Sequence, residues 1–273
     1  MPLITDDIDF LRTLVAKRSG NVLTPGQAYL FETRLAPVAV DAGLCNVEAL
    51  VAELKGKSCS PLHDRVAEAM TINETSFFRD IAPFDAVRDE VLPQLLTIRV
   101  AQRQLSFWSA AASSGQEAYS LAMLLREKLL AHAGWTPQIT CTDLSDEMLA
   151  RIRDGKYSQF EVNRGLPAKL LIKYFDRQGA HYFAKDELKR MIQCKKLNLA
   201  ENWPLMPKFD VVFLRNVLIY FDQPMKEAIL KRVHRALAPD GWLFLGGGET
   251  LINLNVPFTR VTTGKTVCFR PVA

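Results

Sequence analysis

The stretch LSFWSAAASSGQEAYS, residues 105–120, predicts a strand that turns on small side chains directly into a helix. Leu105 and Trp108 suit a buried strand, and Ser113–Gly115 suit a turn. Beyond the turn, apolar residues recur every three or four positions, which is the pattern of one helix face. A strand, a turn of small residues and a helix start bring backbone N–H groups and a bare surface close to a ligand. The stretch therefore predicts a cofactor-binding site with Gly115 in its turn.

Beyond this stretch, strands and helices alternate as far as Ala273, which predicts a doubly wound α/β sheet. The predicted strands are Leu105–Ala111, Gln138–Thr142, Gln193–Leu197, Phe209–Leu214 and Trp242–Leu245. The predicted helices are Pro83–Leu96, Gln116–Ala131, Ser145–Gly155 and the segment from Asp222 to Leu237. Phe258–Val261 and Thr266–Pro271 predict a closing antiparallel hairpin. Ligands of such sheets bind at the carboxyl ends of the strands, where the strand order switches.

The segment Leu166–Lys196 is longer than a plain crossover between two strands requires. Its short runs predict an inserted antiparallel subdomain with the strands Leu170–Phe175, His181–Ala184 and Met191–Lys195 around Gly179. The predicted organisation is thus an all-helical domain at 1–70, a linker or lid at 71–82, and an α/β domain at 83–273 with an insertion at about 166–196.

The first seventy residues predict only helices, because none of their segments alternates as a strand does. The expected helices are Thr5–Arg18 with Thr5 as its cap, Gln27–Ala42 ending at Gly43, Val47–Leu54 and Leu62–Met70. A helical bundle with no chemistry of its own and a substrate-docking domain both fit this pattern. Basic side chains suited to docking are present, yet acidic side chains are as common.

Composition excludes several classes of function. The net charge of +4 and the pI of about 8.8 are far from the basic stripe of a nucleic-acid binder. None of the apolar runs reaches the roughly 18 residues of a membrane span, and Met1–Gly20 lacks the apolar region of a signal peptide. The 5 cysteines and 4 histidines are scattered, which argues against disulfides and metal sites. We expect a cytoplasmic protein with no metal, no nucleic-acid partner and no membrane insertion.

Polar side chains follow the carboxyl ends of the predicted strands. Glu117 lies in the first turn of the helix after the first strand, and Asp143 ends the second strand. Asn198 follows the third strand, and Arg215-Asn216 follows the fourth. Asp143 lies 28 residues after Gly115, near the position at which an acidic residue binds ribose hydroxyls in dinucleotide folds. Asp143 as the N-cap of the next helix is an equal alternative, and Glu117 by itself could simply complement the helix dipole.

The charge of Glu117 indicates which cofactor the site accepts. A carboxylate at the start of the helix would repel a phosphate group, and dinucleotides carry phosphates. S-adenosylmethionine (SAM) carries an amino group and a sulfonium, and it has no phosphate. The sign of this charge therefore favours a SAM-dependent methyltransferase over a nucleotide-dependent dehydrogenase.

Four motifs then support this interpretation: Asn73–Arg79 (NETSFFR), Gly115–Ser120 (GQEAYS), Thr142–Ser145 (TDLS) and Arg215–Phe221 (RNVLIYF). In this order they resemble the motifs of the chemotaxis receptor methyltransferases, the CheR family, and the likeness covers almost the whole chain. The second motif departs from the usual Gly-Glu-Glu-Pro-Tyr-Ser of the family. Gln116 and Ala118 replace the first Glu and the Pro, whereas Glu117 is kept.

The resemblance implies a set of SAM contacts: Asn73, Thr75, Arg79, Glu117, Asp143, Asn198, Leu199, Arg215 and Asn216, with Asp143 on the ribose. Members of this family esterify glutamate side chains on the cytoplasmic helices of chemoreceptors, giving glutamyl methyl esters and S-adenosylhomocysteine. The same activity, with the chemoreceptor helical bundle as partner, is expected of this chain as a monomer.

The chemistry of such a reaction can be argued from the residues. A glutamate carboxylate has a pKa of about 4.3, so at neutral pH it is already an ionised nucleophile and needs no general base. A guanidinium fits a carboxylate in bidentate fashion, so Arg79 is predicted to orient the substrate glutamate. This requires Thr71–Asp80 to be a lid with Arg79 pointing in; a plain linker with a surface arginine is the alternative. Tyr220 is the candidate for a second polar contact, or else a buried aromatic on its turn.

One further expectation follows from the resemblance, and two alternative functions stand beside it. In some family members the inserted subdomain grips a peptide at the receptor C-terminus through a longer, glycine-rich loop. This chain has only Asp176–Ala180 there, which predicts that it does not depend on such a tether. A catalytically silent regulator that binds SAM or a receptor is disfavoured because Arg79, Glu117 and Asp143 are all present. An RNA methyltransferase is disfavoured because the sequence has no motif that combines aromatic and basic side chains.

Overall fold

The computed structural model describes residues 3–57 and 59–272, which form two compact units. The first unit comprises Met1–Ile72, Asn198–Asn202 and Ile219–Lys226. The second comprises Asn73–Leu197, Trp203–Leu218 and Glu227–Ala273. Two short segments that follow strands of the second unit are therefore counted with the first.

The first unit is helical, as predicted. It contains α1 (Thr5–Ser19), a 3₁₀ turn (Pro25–Gln27), α2 (Tyr29–Asp41), α3 (Val47–Lys55) and α4 (Pro61–Ala69). The helices bury a shared apolar core whose most enclosed members include Leu11, Val15, Phe31, Leu35, Leu50 and Val66. The side chain of Asn46 caps α3 by accepting a hydrogen bond from the Ala49 N–H at 2.8 Å.

Two helix starts in this unit differ from the prediction. Ile4 is the N-cap of α1 and Thr5 lies inside the helix, so the predicted Thr5 cap is wrong. α2 begins at Tyr29 and not at Gln27, because Pro25–Gln27 form the separate 3₁₀ turn. The Gln27 side chain accepts a hydrogen bond from the Thr24 N–H at 2.9 Å and so stabilises that turn. Gly43 follows α2 with φ +74°, which is the left-handed conformation expected where a helix ends.

The second unit is built on a seven-stranded sheet. The described strands are β1 (Gln104–Ala110), β2 (Thr136–Asp143), β3 (Lys156–Ser158), β4 (Phe175–Gln178), β5 (His181–Ala184), β6 (Ile192–Lys196), β7 (Phe209–Leu214), β8 (Leu237–Leu245), β9 (Phe258–Thr263) and β10 (Thr266–Pro271). The large sheet has the order β6-β2-β1-β7-β8-β10-β9. Its first five strands are parallel, and β10 is antiparallel to both β8 and β9. The predicted doubly wound sheet with a closing hairpin is confirmed.

The register brings the carboxyl ends of the parallel strands level with one another. Ala110 is the partner of Thr142 on one side and of Leu214 on the other. Leu214 in turn pairs with Leu245, and Asp143 pairs with Lys196. The residues after these strands therefore share one edge of the sheet, here called the carboxyl edge. The strand order switches at β1, since β2 lies on one side of it and β7 on the other.

The described residues after the first four helices form eight more: α5 (Ala82–Ala86), α6 (Leu92–Ile98), α7 (Gln116–Leu129), α8 (Asp146–Asp154), α9 (Gln159–Asn163), α10 (Ala168–Tyr174), α11 (Asp186–Lys189) and α12 (Gln223–Ala236). A π turn at Val87–Val91 joins α5 to α6, so Ala82–Ile98 is one helix with a local widening. Pro93 accounts for the widening, because its nitrogen has no hydrogen to donate to the backbone carbonyl of Asp89 and its ring crowds that carbonyl. The main core includes Phe84, Phe107, Leu121, Ile139, Phe213 and Phe244.

The insertion differs from the prediction in two of its three strands. Leu170–Phe175 was expected to be a strand, but Ala168–Tyr174 is helical. Met191–Lys195 was expected in the small sheet, but Ile192–Lys196 pairs with β2 in the large one. The prediction of a strand at Gln193–Leu197 in the large sheet is thereby confirmed. The third strand of the small sheet is β3, and the order is β3-β5-β4. Short apolar runs suit a strand and a buried helix equally, which explains the error at Leu170–Phe175.

Within residues 3–57 and 59–272, none of the helices is both long enough and apolar enough to cross a bilayer.

Candidate functional site

The turn between β1 and α7 has an unusual backbone. Ala111, Ser113 and Gly115 have φ values of +53°, +51° and +95°, so every second residue is left-handed. A Cβ at Gly115 would lie 2.9 Å from Ile152 Cγ1 and 3.1 Å from the Tyr157 hydroxyl. Only glycine therefore fits this position, for both conformational and steric reasons. The chain passes from strand to helix with very little side-chain bulk at the carboxyl edge.

The carboxylate of Asp143 fixes this turn to the end of β2. One oxygen accepts a hydrogen bond from the Ser113 N–H at 2.8 Å, and the other accepts from the Ser145 N–H at 3.0 Å. The Asp143 side chain is buried. Ser145, and not Asp143, is the N-cap of α8, since its hydroxyl accepts from the Met148 N–H. The alternative that Asp143 is itself the cap is wrong.

Glu117 and Arg215 form a buried ion pair between α7 and the end of β7. The Arg215 Nη1 atom lies 3.0 Å from one oxygen of Glu117, and the other oxygen accepts from the Ser109 hydroxyl at 2.7 Å. The Arg215 side chain is 1% exposed, and the Glu117 side chain is 13% exposed. Glu117 therefore does more than complement the helix dipole, because it is held by two side-chain partners.

Arg215 also binds the segment that precedes α5. Its Nη2 atom donates to the Arg79 carbonyl at 2.8 Å and to the Asp80 carboxylate at 2.9 Å. The guanidinium lies over the rings of Phe84 and Phe213, 5.8 and 5.9 Å from their centroids. Within the described residues its Nε atom has no hydrogen-bond partner. Arg215, which follows β7, therefore binds both α7 and the Asn73–Asp80 segment.

The Asn73–Asp80 segment is pinned over the turn after β1. The Phe77 ring packs edge-on against Tyr157 and Phe175, at 5.0 and 5.8 Å between centroids. The Phe78 N–H donates to the Ser120 hydroxyl at 2.9 Å. The Ser113 hydroxyl donates to the Asn73 carbonyl at 2.7 Å. These contacts hold the segment in place, and its function as a lid stays a prediction.

Arg79 is half-buried within this segment. Its Nη1 atom donates to the Glu74 carbonyl at 3.1 Å, and within the described ranges its guanidinium takes part in no ion pair. The Glu74 carboxylate pairs instead with Arg164 at 2.8 Å, and hydrogen bonding to Arg164 lowers the pKa of Glu74. Phe78 and Asp80, on either side of Arg79, are left-handed with φ values of +47° and +53°. The segment thus carries a positive charge that the described part of the chain does not neutralise by an ion pair.

Asn216, the next residue after Arg215, is left-handed at φ +57° and half-buried. Its N–H donates to the carboxylate of Glu249, in the turn after β8. Glu249, Asp80 and Ser109 are members of this cluster that the sequence analysis missed. The search for polar residues after strand ends would have found Glu249 if it had included β8, because Gly246–Glu249 follows that strand directly.

The other predicted site residues are placed as follows. Thr75 is half-buried in the second unit, whereas Asn198, Leu199 and Tyr220 belong to the first unit. The Asn198 side chain donates to the Arg18 carbonyl at 2.6 Å and accepts from the Ala200 N–H at 3.0 Å. Leu199 is buried and Tyr220 is half-buried.

The ionisable groups near this edge do not supply a nucleophile of their own. Burial raises the pKa of the Cys141 thiol and of the Tyr157 phenol well above their ordinary values. Among residues 3–57 and 59–272, no group of three His, Cys, Asp or Glu side chains converges as a metal site would. The edge offers instead a bare turn, the carboxylates of Asp143 and Glu117, and the Arg79 guanidinium, which forms no ion pair among the described residues. Carboxylates beside a turn without bulk suit a cationic ligand with ribose hydroxyls, which fits SAM.

Comparisons with known proteins agree with this chemistry. Residues 73–267 match the model of the CheR methyltransferase SAM-binding domain. The chain is 38% identical to chemotaxis protein methyltransferase 1 of Pseudomonas aeruginosa over 268 residues, covering 97% of each protein. It is 37% identical to chemotaxis protein methyltransferase Cher2 of Pseudomonas putida, covering 92% of this chain and 93% of the relative. It is 32% identical to the chemotaxis protein methyltransferase of Escherichia coli, covering 97% of this chain and 91% of the relative.

Proposed function

The chain belongs to the CheR family of SAM-dependent chemotaxis methyltransferases, and from that premise we propose that its substrates are glutamate side chains. The methyl acceptors are carboxylates on the cytoplasmic helical bundle of a chemoreceptor, and the products are glutamyl methyl esters and S-adenosylhomocysteine. The observation that carries the proposal is Arg79. It presents a guanidinium without an ion pair among the described residues, on a lid that Arg215 holds at the carboxyl edge. A carboxylate is the natural partner of such a group.

The reaction asks the protein for alignment and not for proton transfer. SAM, when bound, supplies an electrophilic methyl group on a sulfonium, and an ionised glutamate is nucleophilic without deprotonation. The task of Arg79 is to hold one carboxylate oxygen in line with the methyl carbon. Tyr220 is proposed as a second polar contact to the substrate. Alignment of this kind is worth roughly 7–11 kcal/mol of the barrier, so it suffices as the main contribution of the chain.

The cofactor-binding residues are proposed from the same edge and from the motifs: Asn73, Thr75, Arg79, Gly115, Glu117, Asp143, Asn198, Leu199, Arg215 and Asn216. Asp143 is proposed to accept hydrogen bonds from the ribose hydroxyls. Its carboxylate is held at the end of β2 by the Ser113 and Ser145 N–H groups, and a carboxylate is an acceptor for hydroxyl donors. Glu117 is proposed to lie beside the cationic part of SAM, where its charge is favourable even though Arg215 shares it.

We also propose that activity does not depend on a peptide at the receptor C-terminus. The turn between β4 and β5 in the small sheet is only Gly179-Ala180, and it leaves little backbone for enclosing a peptide. Calorimetry with the C-terminal pentapeptide of the cognate receptor is the test. No measurable heat is expected, and tight binding would refute this part. The protein is further proposed to act as a cytoplasmic monomer, with 71–82 as a lid on the 83–273 domain.

The decisive experiment uses SAM labelled in its methyl group and a receptor cytoplasmic fragment. Glutamyl methyl esters release labelled methanol in base, whereas methylated RNA or methylated amines do not. Base-labile label on the fragment is the expected result. The matched control is a fragment whose acceptor glutamates are replaced by alanine, which should take up no label. Label that stays on the fragment in base, or moves to RNA, would refute glutamate esterification.

A further inference from the structure

The carboxylate of Glu249 accepts hydrogen bonds from four backbone N–H groups. One oxygen accepts from Asn216 at 2.8 Å and from Gly246 at 2.7 Å. The other accepts from Val217 at 2.9 Å and from Leu218 at 2.7 Å. Three of these donors follow β7 and the fourth follows β8. One side chain therefore ties together the carboxyl ends of two neighbouring parallel strands through charge-assisted bonds.

The approach of Glu249 to these donors depends on a glycine. A Cβ at Gly246 would lie 2.6 Å from the Asn216 side-chain nitrogen and 2.8 Å from the Glu249 carboxylate. The Glu249 N–H also donates back to the Gly246 carbonyl at 2.9 Å, so the turn Gly246–Glu249 closes on itself. The contact therefore depends on a glycine at position 246 as well as on the Glu249 carboxylate.

The turn that Glu249 holds is the one that follows Arg215. Asn216 is left-handed there, a conformation that asparagine tolerates better than most residues but that still needs support from its surroundings. Arg215 must leave β7 with its guanidinium directed at Glu117. A change in the turn would therefore move both residues together.

We propose that Glu249 is a positioning residue that sets the Arg215-Asn216 turn in its cofactor-binding conformation without itself touching the cofactor. This rests on the proposed contact of Arg215 and Asn216 with SAM. The role needs a carboxylate, because each of its two oxygens has to accept from two donors. An amide has only one oxygen, and its NH₂ group would face two N–H groups.

The test compares Glu249→Gln and Glu249→Asp in the full chain by calorimetry with S-adenosylhomocysteine, well below the Tm of each variant. We expect Glu249→Gln to raise the Kd by about tenfold, because charge-assisted hydrogen bonds are lost. Glu249→Asp keeps the charge and both acceptor oxygens and should recover part of the affinity. In the transfer assay, the KM for SAM should rise while the KM for the receptor fragment stays constant.

Asp240→Asn is the matched control. Asp240 in β8 is joined to Asp210 in β7 through Arg99, which binds both carboxylates away from the carboxyl edge. It should lower the Tm without changing the Kd. If Glu249 were only structural, Glu249→Gln would behave in the same way, and unchanged affinity in that variant overturns the proposal. Should Glu249→Gln fail to fold, Gly246→Ala displaces the Glu249 carboxylate instead, because the added Cβ would lie 2.8 Å from it. Parental affinity in Gly246→Ala would then overturn the proposal.

A further variant separates this inference from the proposed site. Asn216→Ala should weaken S-adenosylhomocysteine binding if the cofactor contacts this turn. Weaker binding by Asn216→Ala with parental binding by Glu249→Gln would refute only the role of Glu249. Parental binding by both variants would instead place the cofactor away from this turn and would refute the proposed contact together with the inference.

Discussion

The two edges of the large sheet in the second unit are built on different principles. At the amino edge, Arg99 binds Asp210 at the start of β7 and Asp240 in β8, with distances of 2.8 and 2.5 Å. Asp210 also accepts from the Ser106 N–H at 2.8 Å. At the carboxyl edge, the corresponding arginine is Arg215, whose Nε lacks a hydrogen-bond partner among the described residues. At the amino edge, the charged groups of this cluster pair with one another. At the carboxyl edge, the arginine keeps one N–H group without a hydrogen-bond partner among the described residues.

Backbone conformation differs between the edges only in degree, because Arg103, directly before β1 at the amino edge, is also left-handed at φ +51°. Ala111, Ser113 and Asn216, all at the carboxyl edge, have positive φ values although none is glycine. Conformations of this kind cost free energy and persist when the surroundings fix them, and they concentrate at binding sites. The larger number of such residues at the carboxyl edge supports the proposed ligand site there.

The largest effect is expected from Arg79→Ala. Loss of the guanidinium should lower kcat by about 10²-fold, because the substrate carboxylate is no longer aligned, while the Kd for S-adenosylhomocysteine rises only modestly. Initial rates of base-labile methyl transfer and calorimetry measure the two quantities. Arg164→Ala is the control, since Arg164 is also close to the lid but is already paired with Glu74. Full turnover in Arg79→Ala would remove this residue from the reaction.

Asp143→Asn should mainly affect cofactor binding. An amide NH₂ would face the N–H of Ser113 or of Ser145, so the turn after β1 would shift and one ribose acceptor would be lost. We expect the Kd for S-adenosylhomocysteine to rise by about 10- to 100-fold, measured by calorimetry. Asp146→Asn, at an exposed position that pairs with Lys196, is the control. Equal affinities in the two variants would contradict the assignment of Asp143.

Substituting the two arginines tests the comparison between the edges directly. Arg99→Met leaves Asp210 buried without its cation and should cost about 3 kcal/mol in the free energy of unfolding, with no change in cofactor Kd. Arg215→Met should cost a similar amount and also weaken cofactor binding, since Glu117 and the Asn73–Asp80 segment lose their bonds to Arg215. Urea unfolding and calorimetry measure the two effects. The comparison would fail if Arg99→Met weakened binding as much as Arg215→Met.

The smallest effect is expected from pH at the amino edge. The hydrogen bond from Arg99 lowers the pKa of Asp240 in the folded chain. The stabilisation is therefore fully present above the unfolded pKa of about 3.9 and is lost as the pH falls through the lower folded value. The Tm difference between the parent and Asp240→Asn should be constant from pH 5 to pH 8, on the order of a few degrees, and shrink in stronger acid. A difference that grows in acid would have the wrong sign for this account.

Much of the carboxyl edge could be predicted from the sequence because parallel strands end level with one another. Glu117, Asp143 and Asn216 were identified by this rule before their contacts were known. The pairing of Glu117 with Arg215 could not be predicted, because the two are separated by 98 positions and residue type does not specify a partner. Glu249 was missed because only four of the five parallel strands were followed to their ends.

The errors in the fold have a related cause. Leu170 and Leu171 read as part of a strand, but their helix, α10, packs them against the main core. A run of this length has no decisive period, so tertiary packing determines its state. The helix α7, whose pattern extends over 14 residues, and the strand β7, a nearly continuous apolar run, were predicted correctly.

A crystal structure of the complex with S-adenosylhomocysteine tests the central claim most directly. The account predicts the cofactor at the carboxyl edge, with its ribose hydroxyls on Asp143 and its amino acid part beside Glu117. A cofactor bound elsewhere, or bound at this edge with its ribose away from Asp143, would contradict it.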